Sequence, residues 1–188
     1  MTLEKFLRSF IMKRGEIVMK NILFRLLPVL LLSGCASDQS IPAVEGLNLK
    51  QYMGTWYEIA RLPNYFERGM SGVSADYSLL PGGEVKVVNR GTKNDQKKSI
   101  TGVARKRNQS GSGELEVSFF KPFFNSYRII KLGPDYRYSI VMGRNRRMLW
   151  VLGRQKQLSK EDREEIMKFL KYHKFPVEKL INSWHTKL

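Results

Sequence analysis

Between residues 55 and 154, short apolar runs alternate with turn signals at a steady spacing. Pro81-Gly82-Gly83, Gly91, Lys121-Pro122 and Gly133-Pro134 all fall between the runs. Proline removes a ladder donor and glycine weakens a strand interior, so these residues mark the ends of strands. The pattern predicts a series of short antiparallel strands.

Eight strands joined by short turns favour an up-and-down barrel, which has no free edge and can hold one small ligand. The predicted strands are 55–62, 73–80, 84–90, 99–105, 114–120, 126–132, 136–142 and 148–154. Ser159 is predicted to cap a helix that runs to about Tyr172 and packs outside the barrel. Another helical turn at 176–181 and a short last strand at 183–186 are expected. The predicted fold class is therefore all-β, an eight-stranded antiparallel up-and-down barrel with one C-terminal α-helix outside.

A secretory leader precedes the strands. A basic start at Met19-Lys20-Asn21, an apolar run over 22–32 and the small residues Ser33-Gly34 form a signal peptide. Leu32-Ser33-Gly34-Cys35 resembles the bacterial lipobox, and that resemblance implies that Cys35 is the lipidated first residue of the mature protein. A plain signal peptide with an incidental cysteine is the alternative. Met1, Met12 and Met19 remain open as the true start.

The expected organisation has three parts. Residues 1–34 form an upstream extension and lipoprotein signal peptide, residues 35–48 a lipidated tether, and residues 49–188 the barrel domain. A diacylglycerol and a palmitate together anchor a chain stably where one acyl chain is marginal. Ala36 stands where aspartate resembles an inner-membrane retention signal, which favours the periplasmic side of the outer membrane.

Composition excludes several functions. The formal net charge is +16, but it is spread along the chain, which argues against nucleic acid and leaves a membrane or an anionic ligand open. Cys35 is the only cysteine, and His173 and His185 are the only histidines. No metal site and no cofactor are predicted.

The string Gly54-Thr55-Trp56-Tyr57-Glu58-Ile59-Ala60-Arg61 resembles the lipocalin G-x-W signature, in the form of the bacterial lipocalin and apolipoprotein D branch. Asp135-Tyr136 resembles the second family motif and Arg154 the third. The strings at 117–123 and 149–154 also resemble this branch, so the resemblance covers nearly all of residues 45–188. We expect structural roles for three motif residues. Gly54 permits a tight turn, Trp56 plugs the closed end, and Arg154 stacks on the indole.

Side chains alternate inward and outward along a barrel strand. If Trp56 faces inward, so do Glu58 and Ala60, and Glu58 needs a partner such as Arg90 or Tyr127. The candidate cavity residues are Glu58, Tyr77, Val87, Asn89, Phe119, Tyr127, Ile129, Tyr138 and Ile140. Meander topology places basic and aromatic loops together at one end, and the candidate rim residues there are Phe66, Lys97, Phe123 and Arg146.

The resemblance implies a carrier of fatty acids or lysophospholipids, with a role in envelope storage, transport or maintenance. It also allows a homodimer, for which an outward-facing Trp150 or Tyr57 would be an anchor. A carrier of tetrapyrroles or other hydrophobic small molecules is one alternative, and a lipocalin-type isomerase is another. No enzyme activity is predicted, because Cys35 serves the anchor and Glu58 is the only acid expected inside.

Overall fold

The computed structural model describes residues 40–107, 111–184 and 188. The predicted leader, Cys35, the three start positions and His185 lie outside the described residues. Two 3-10 turns cover Pro134–Tyr136 and Val177–Lys179. The helices and strands are α1 (Leu49–Tyr52), β1 (Gly54–Arg61), β2 (Met70–Leu79), β3 (Val85–Lys93), β4 (Gln96–Lys106), β5 (Glu114–Phe120), β6 (Phe123–Leu132), β7 (Tyr138–Met142), β8 (Leu149–Gly153), α2 (Lys160–Tyr172) and β9 (Ile181–Asn182).

The strands close into a barrel. Each of β2 to β7 pairs antiparallel with the next strand, and β1 pairs with both β8 and β2. This confirms the predicted eight-stranded up-and-down barrel. The structure adds the short helix α1 and a ninth strand, β9, which pairs with β1 at Ala60 and Arg61. The last strand therefore lies at 181–182 rather than at the predicted 183–186, of which residues 185 and 186 are outside the described part.

Three strands begin three residues earlier than predicted, at Met70, Gln96 and Phe123. The turn between β3 and β4 shows why. Asn94 and Asp95 both have positive φ, 49° and 58°, which is the geometry of a two-residue hairpin. The hairpin keeps Lys93 paired with Gln96, so the ladder continues through polar residues that carry no apolar pattern.

The helix α2 packs on the outside of the sheet, as predicted. The Ser159 hydroxyl accepts a hydrogen bond from the Asp162 amide at 3.1 Å and caps the helix. Ile166 and Leu170 are fully buried against outward-facing residues of the barrel, among them Tyr138 and Ile140. No helix in residues 40–107 and 111–184 is long and apolar enough to cross a membrane.

A β-bulge in β1 reverses which side chains face inward. The pairing with β8 shifts between Glu58 and Ala60, so that Ala60 lies opposite Val151 and Arg61 opposite Trp150. An extra residue in one strand inverts the in–out alternation beyond it. Ala60 therefore packs in the outer cluster under α2, against the expectation that it faces the cavity, and Arg61 turns inward.

Residues 40–47 run along the barrel wall. Val44 donates its amide to the Ile129 carbonyl at 2.8 Å, and Leu47 donates to the Gly111 carbonyl at 2.8 Å. Ile41 is 2% exposed. This part of the predicted tether is thus packed against the domain, because its apolar residues and backbone amides find partners there; the boundary at residue 48 stays a prediction.

The C-terminal segment seals a gap in the wall. Regular pairing of β1 with β2 ends at Tyr57 and Ser74. Beyond that point Ser183 bridges the two strands: its amide donates to the Ile59 carbonyl at 3.1 Å, and its carbonyl accepts from the Gly72 amide at 2.7 Å.

The closed end is held by Arg154. Its guanidinium lies over the Trp56 indole at 3.9 Å and donates to the carbonyls of Thr55 at 3.0 Å and Gln51 at 2.8 Å. Gly54 has φ +93°, and a Cβ there would meet the Arg154 guanidinium at 3.4 Å. The three motif residues therefore have the arrangement that the sequence led us to expect.

We predict that Arg154→Ala lowers the free energy of unfolding by about 2 kcal/mol, because a charged donor to two carbonyls and a cation–π contact are both lost. Urea unfolding at neutral pH measures the change. Arg107→Ala, at an exposed position of the same end, is the control and should change stability by less than about 0.5 kcal/mol. Equal effects of the two substitutions would contradict the assigned role of Arg154.

Candidate functional site

The barrel encloses a cavity of about 550 Å³ that opens at one end. Its volume lies within the range of about 300–1,000 Å³ that is usual for small-molecule sites. The walls are mainly apolar and come from every one of β1 to β8. Phe66, Phe120 and Phe123 border the mouth, and the side chains of α1 form the floor. This shape suits a ligand with a long apolar part.

Three tyrosine hydroxyls meet at the floor. The Tyr127 hydroxyl lies 3.0 Å from those of Tyr52 and Tyr77, and Tyr52 also reaches the Ser139 hydroxyl at 3.0 Å. Burial raises the pKa of Tyr52 to about 12 and raises the pKa of Tyr77 and Tyr127 as well. All three phenols are therefore neutral at physiological pH and act as hydrogen-bonding groups.

A charged cluster lies where β1 approaches the mouth. Arg61 donates from Nη1 to the Glu58 carboxylate at 2.5 Å and from Nη2 to the carbonyls of Glu67 at 2.8 Å and Met70 at 2.9 Å. The Glu67 carboxylate in turn accepts from the Trp150 indole nitrogen at 2.8 Å. One buried guanidinium thus joins the wall to the loop between β1 and β2.

Glu58 has an altered acidity. Desolvation by burial, and next the negative charge of Glu67, raise its pKa to about 7 although Arg61 opposes the shift. Glu58 is 2% exposed and borders the cavity. Near neutral pH this carboxyl therefore exchanges between a donor and a charged acceptor at the cavity wall.

Six of the nine candidate cavity residues border the cavity. They are Glu58, Tyr77, Val87, Asn89, Phe119 and Tyr127. The Asn89 side-chain oxygen is buried without a hydrogen-bond partner among the described residues. This group is positioned to meet a polar atom of a ligand.

The other three candidates do not border it. Tyr138 and Ile140 are in the outer cluster under α2, because β7 presents Ser139 and Val141 to the interior instead. Ile129 belongs to the inner core cluster but lies behind the cavity lining. Short strands without strict polar alternation leave the facing undetermined from sequence alone.

The expected partners of Glu58 are also corrected. Arg90 is paired with Asp76, and Tyr127 is bonded to the two other floor tyrosines. Arg61 takes this place because the bulge turns it inward. No residue pattern near this position indicates a bulge, and none indicates that Glu67 folds in from a loop as a second acid.

The candidate rim residues fall into two groups. Phe66 and Phe123 are 77% and 74% exposed and border the mouth. Lys97 is exposed at the same end, while its neighbour Lys98 borders the cavity. Arg146 does not face the cavity: it donates to the His173 carbonyl and to the Ser40 hydroxyl at 2.6 Å, and so holds chain segments together.

The two candidate dimer anchors are engaged within the chain. Trp150 faces the cavity rather than outward, because the β1 bulge and the β8 register place it opposite Arg61. Tyr57 is half-buried, with its ring centroid 5.8 Å from that of Trp184. A homodimer thus stays a prediction without an assigned anchor. Among the described residues, no three His, Cys, Asp or Glu side chains are grouped to hold a metal ion.

A closed eight-stranded barrel with an outer C-terminal helix and an apolar cavity open at one end defines a binder of small hydrophobic ligands of the lipocalin type. A family model for the lipocalin-like domain matches residues 47–185. The chain therefore belongs to the lipocalin family.

Curated relatives agree with this assignment. Outer membrane lipoprotein Blc of Citrobacter freundii is 36% identical over 169 residues, which cover 84% of this chain and 96% of that protein. Apolipoprotein D of Rattus norvegicus is 33% identical over 145 residues, covering 71% and 72%. Among solved structures, insecticyanin from Manduca sexta has a TM-score of 0.64 at 19% identity, covering 77% of this chain and 84% of that one, which shows the same fold.

Glu58→Gln tests the acidity of the buried carboxyl. The folded state holds the Glu58 proton more tightly than the unfolded state does. The contribution of Glu58 to the free energy of unfolding therefore falls as pH rises from about 4.5 through 7. We predict that the stability of wild type relative to Glu58→Gln declines by roughly 3 kcal/mol over that range. Chemical unfolding of both proteins from pH 4.5 to 8 measures the difference.

Glu45→Gln, which removes an exposed carboxyl, is the matched control. A stability difference between wild type and Glu58→Gln that stays constant from pH 4.5 to 8 would show that Glu58 has ordinary acidity.

Proposed function

We propose that this protein is an outer-membrane lipoprotein that faces the periplasm and carries fatty acids or lysophospholipids for storage, transport or maintenance of the envelope. The observation that carries the proposal is the apolar cavity of about 550 Å³, which is closed at the floor and open at a mouth bordered by aromatic and basic side chains. An acyl chain buried there gains about 0.8 kcal/mol for each methylene removed from water, enough for micromolar binding.

The distribution of polar groups supports an amphiphile. The upper wall holds Lys98, whose charge suits a carboxylate or a phosphate at the mouth. Deeper in, the Asn89 side chain offers a hydrogen-bonding group to a polar atom near the head of the ligand. Most of the remaining lining is apolar and suits the tail.

Two further observations support the anchor and the location. Residues 32–35 have the form of a lipobox, and Cys35 is the only cysteine of the chain. Relatives that match over 95% or more of their own length include the outer membrane lipoproteins Blc of Citrobacter freundii and Vibrio cholerae.

Filling part of the cavity should weaken lipid binding. Val87 borders the cavity and is 3% exposed, whereas the next residue, Val88, faces the other side of β3. We predict that Val87→Phe weakens binding of a fluorescent fatty acid at least tenfold, because the larger ring occupies the space of the acyl chain. Titration of the chain from residue 35 on, with Cys35→Ser, measures the affinity.

Val88→Phe makes the same chemical change on the opposite face and should leave the affinity within about twofold. Native mass spectrometry of the purified protein, followed by lipid extraction, identifies any bound lipid. If neither fatty acids nor lysophospholipids bind to the unsubstituted protein, the carrier proposal is wrong.

Cys35→Ser should release the protein from the membrane. The substitution removes the thiol that the lipoprotein pathway acylates, so we predict loss of labelling by radioactive palmitate and a shift from the outer-membrane fraction to the periplasmic fraction. Ser33→Ala, which keeps a small residue before the cysteine, is the control. Unchanged fractionation of Cys35→Ser would contradict the anchor.

A further inference from the structure

The mouth of the barrel carries an unusual concentration of exposed aromatic rings. Tyr65, Phe66, Phe120 and Phe123 are 80%, 77%, 73% and 74% exposed. They come from the loop between β1 and β2 and from both sides of the turn between β5 and β6, and three of them border the same cavity opening. At the closed end the exposed large apolar residues are Leu79 and Leu80, at 40% and 37%, within the described residues. The mouth therefore exposes more aromatic and apolar surface than the closed end.

Basic residues are concentrated at the mouth as well. The loops at the mouth carry the basic residues Arg68, Lys121, Arg144, Arg146 and Arg147 and the acidic residues Glu67 and Asp95. Lys93, Lys97 and Lys98 flank the mouth turn between β3 and β4. The loops between strands at the closed end carry Arg107, Arg137, Glu84 and Asp135, which balance. We call the aromatic and basic residues around the opening the mouth face.

The chain enters the described structure at this same end. Ser40 accepts a hydrogen bond from Arg146, which lies in the mouth loop between β7 and β8. From there residues 41–47 run down the wall to α1 at the floor. Cys35 precedes Ser40 by five residues, and five residues span at most about 18 Å even when fully extended. An acyl anchor at Cys35 would therefore keep the mouth, rather than the floor, near the bilayer.

We propose that the mouth face docks on the surface of a membrane that contains anionic phospholipids, so that the cavity opens onto the bilayer. Aromatic side chains enter the interface while lysines and arginines meet lipid phosphates, as in other peripheral membrane-binding surfaces. The inference goes beyond ligand carriage; its part on anchor geometry rests on the proposed lipidation of Cys35. Docking brings lipid and cavity together without passage through water.

Vesicle binding of the unanchored protein tests the docking itself. Residues 40–184 contain the complete barrel and helix, so the chain from residue 35 on, with Cys35→Ser, keeps the folded unit. We expect this protein to sediment with phosphatidylcholine vesicles that contain phosphatidylglycerol, and more weakly with phosphatidylcholine alone. Absence of binding to the anionic vesicles would overturn the proposal.

Matched charge changes at the two ends identify the face. Lys97→Gln with Lys98→Gln removes two exposed charges at the mouth, and Lys106→Gln with Arg107→Gln removes two exposed charges at the closed end. We expect the first pair to weaken partitioning about tenfold or more and the second pair to change it less than threefold. Equal losses from the two pairs would show nonspecific attraction by net charge and overturn the proposal.

A single-cysteine label reports the orientation. Because Cys35 is the only cysteine, Phe123→Cys or Leu80→Cys in the Cys35→Ser protein can carry one environment-sensitive dye. The dye at 123 should shift to the blue on anionic vesicles, and the dye at 80 should not; the reverse pattern would overturn the proposal. Fatty-acid titration of the same protein without vesicles separates the two proposals, since ligand binding without docking contradicts only the docking and docking without ligand binding contradicts only carriage.

Discussion

The double pairing of β1 is the constraint on which the rest of the structure depends. One strand must complete ladders with both β2 and β8 for the barrel to close, and it does so only over Gly54–Tyr57 on the β2 side. Beyond Glu58 the bulge reverses its facing, and Ser183 from the C-terminus closes the gap that opens beside it. The positions of the cavity, of the charged cluster around Arg61 and of the Ser183 bridge all depend on this one strand, because each is set by the point at which the side-chain facing of β1 reverses.

Closure also separates the polar groups of the cavity into two levels. At the floor, the Arg154 and Trp56 contact closes the barrel below the three tyrosines, whose hydroxyls satisfy one another without a net charge. Nearer the mouth, Arg61 compensates the charge of two carboxylates that the apolar wall would otherwise exclude. The apolar lining between the two levels is what makes the cavity suitable for an acyl chain.

The path of residues 40–47 determines which end of the barrel lies beside Ser40. This segment hydrogen-bonds along the wall and starts beside Arg146, so the barrel has a defined end at which the preceding chain arrives. The most exposed aromatic rings and the excess of basic loops lie at that end as well. With Cys35 lipidated as proposed, the anchor, the opening and the aromatic and basic side chains would share one end of the barrel, as exchange of lipid with the anchoring membrane requires.

Local pattern was enough for the number of strands, the outer helix with its Ser159 cap and the floor motif of Gly54, Trp56 and Arg154, because turn residues, periodicity and caps act over a few neighbouring residues. Of the nine residues that this pattern led us to expect at the cavity, six border it. Tertiary structure alone decided that Tyr138 and Ile140 face α2, that Arg61 rather than Arg90 meets Glu58, and that Glu67 joins from a loop. These outcomes depend on register and on one extra residue in β1, which are set by pairing between distant segments and leave no mark in the sequence near them.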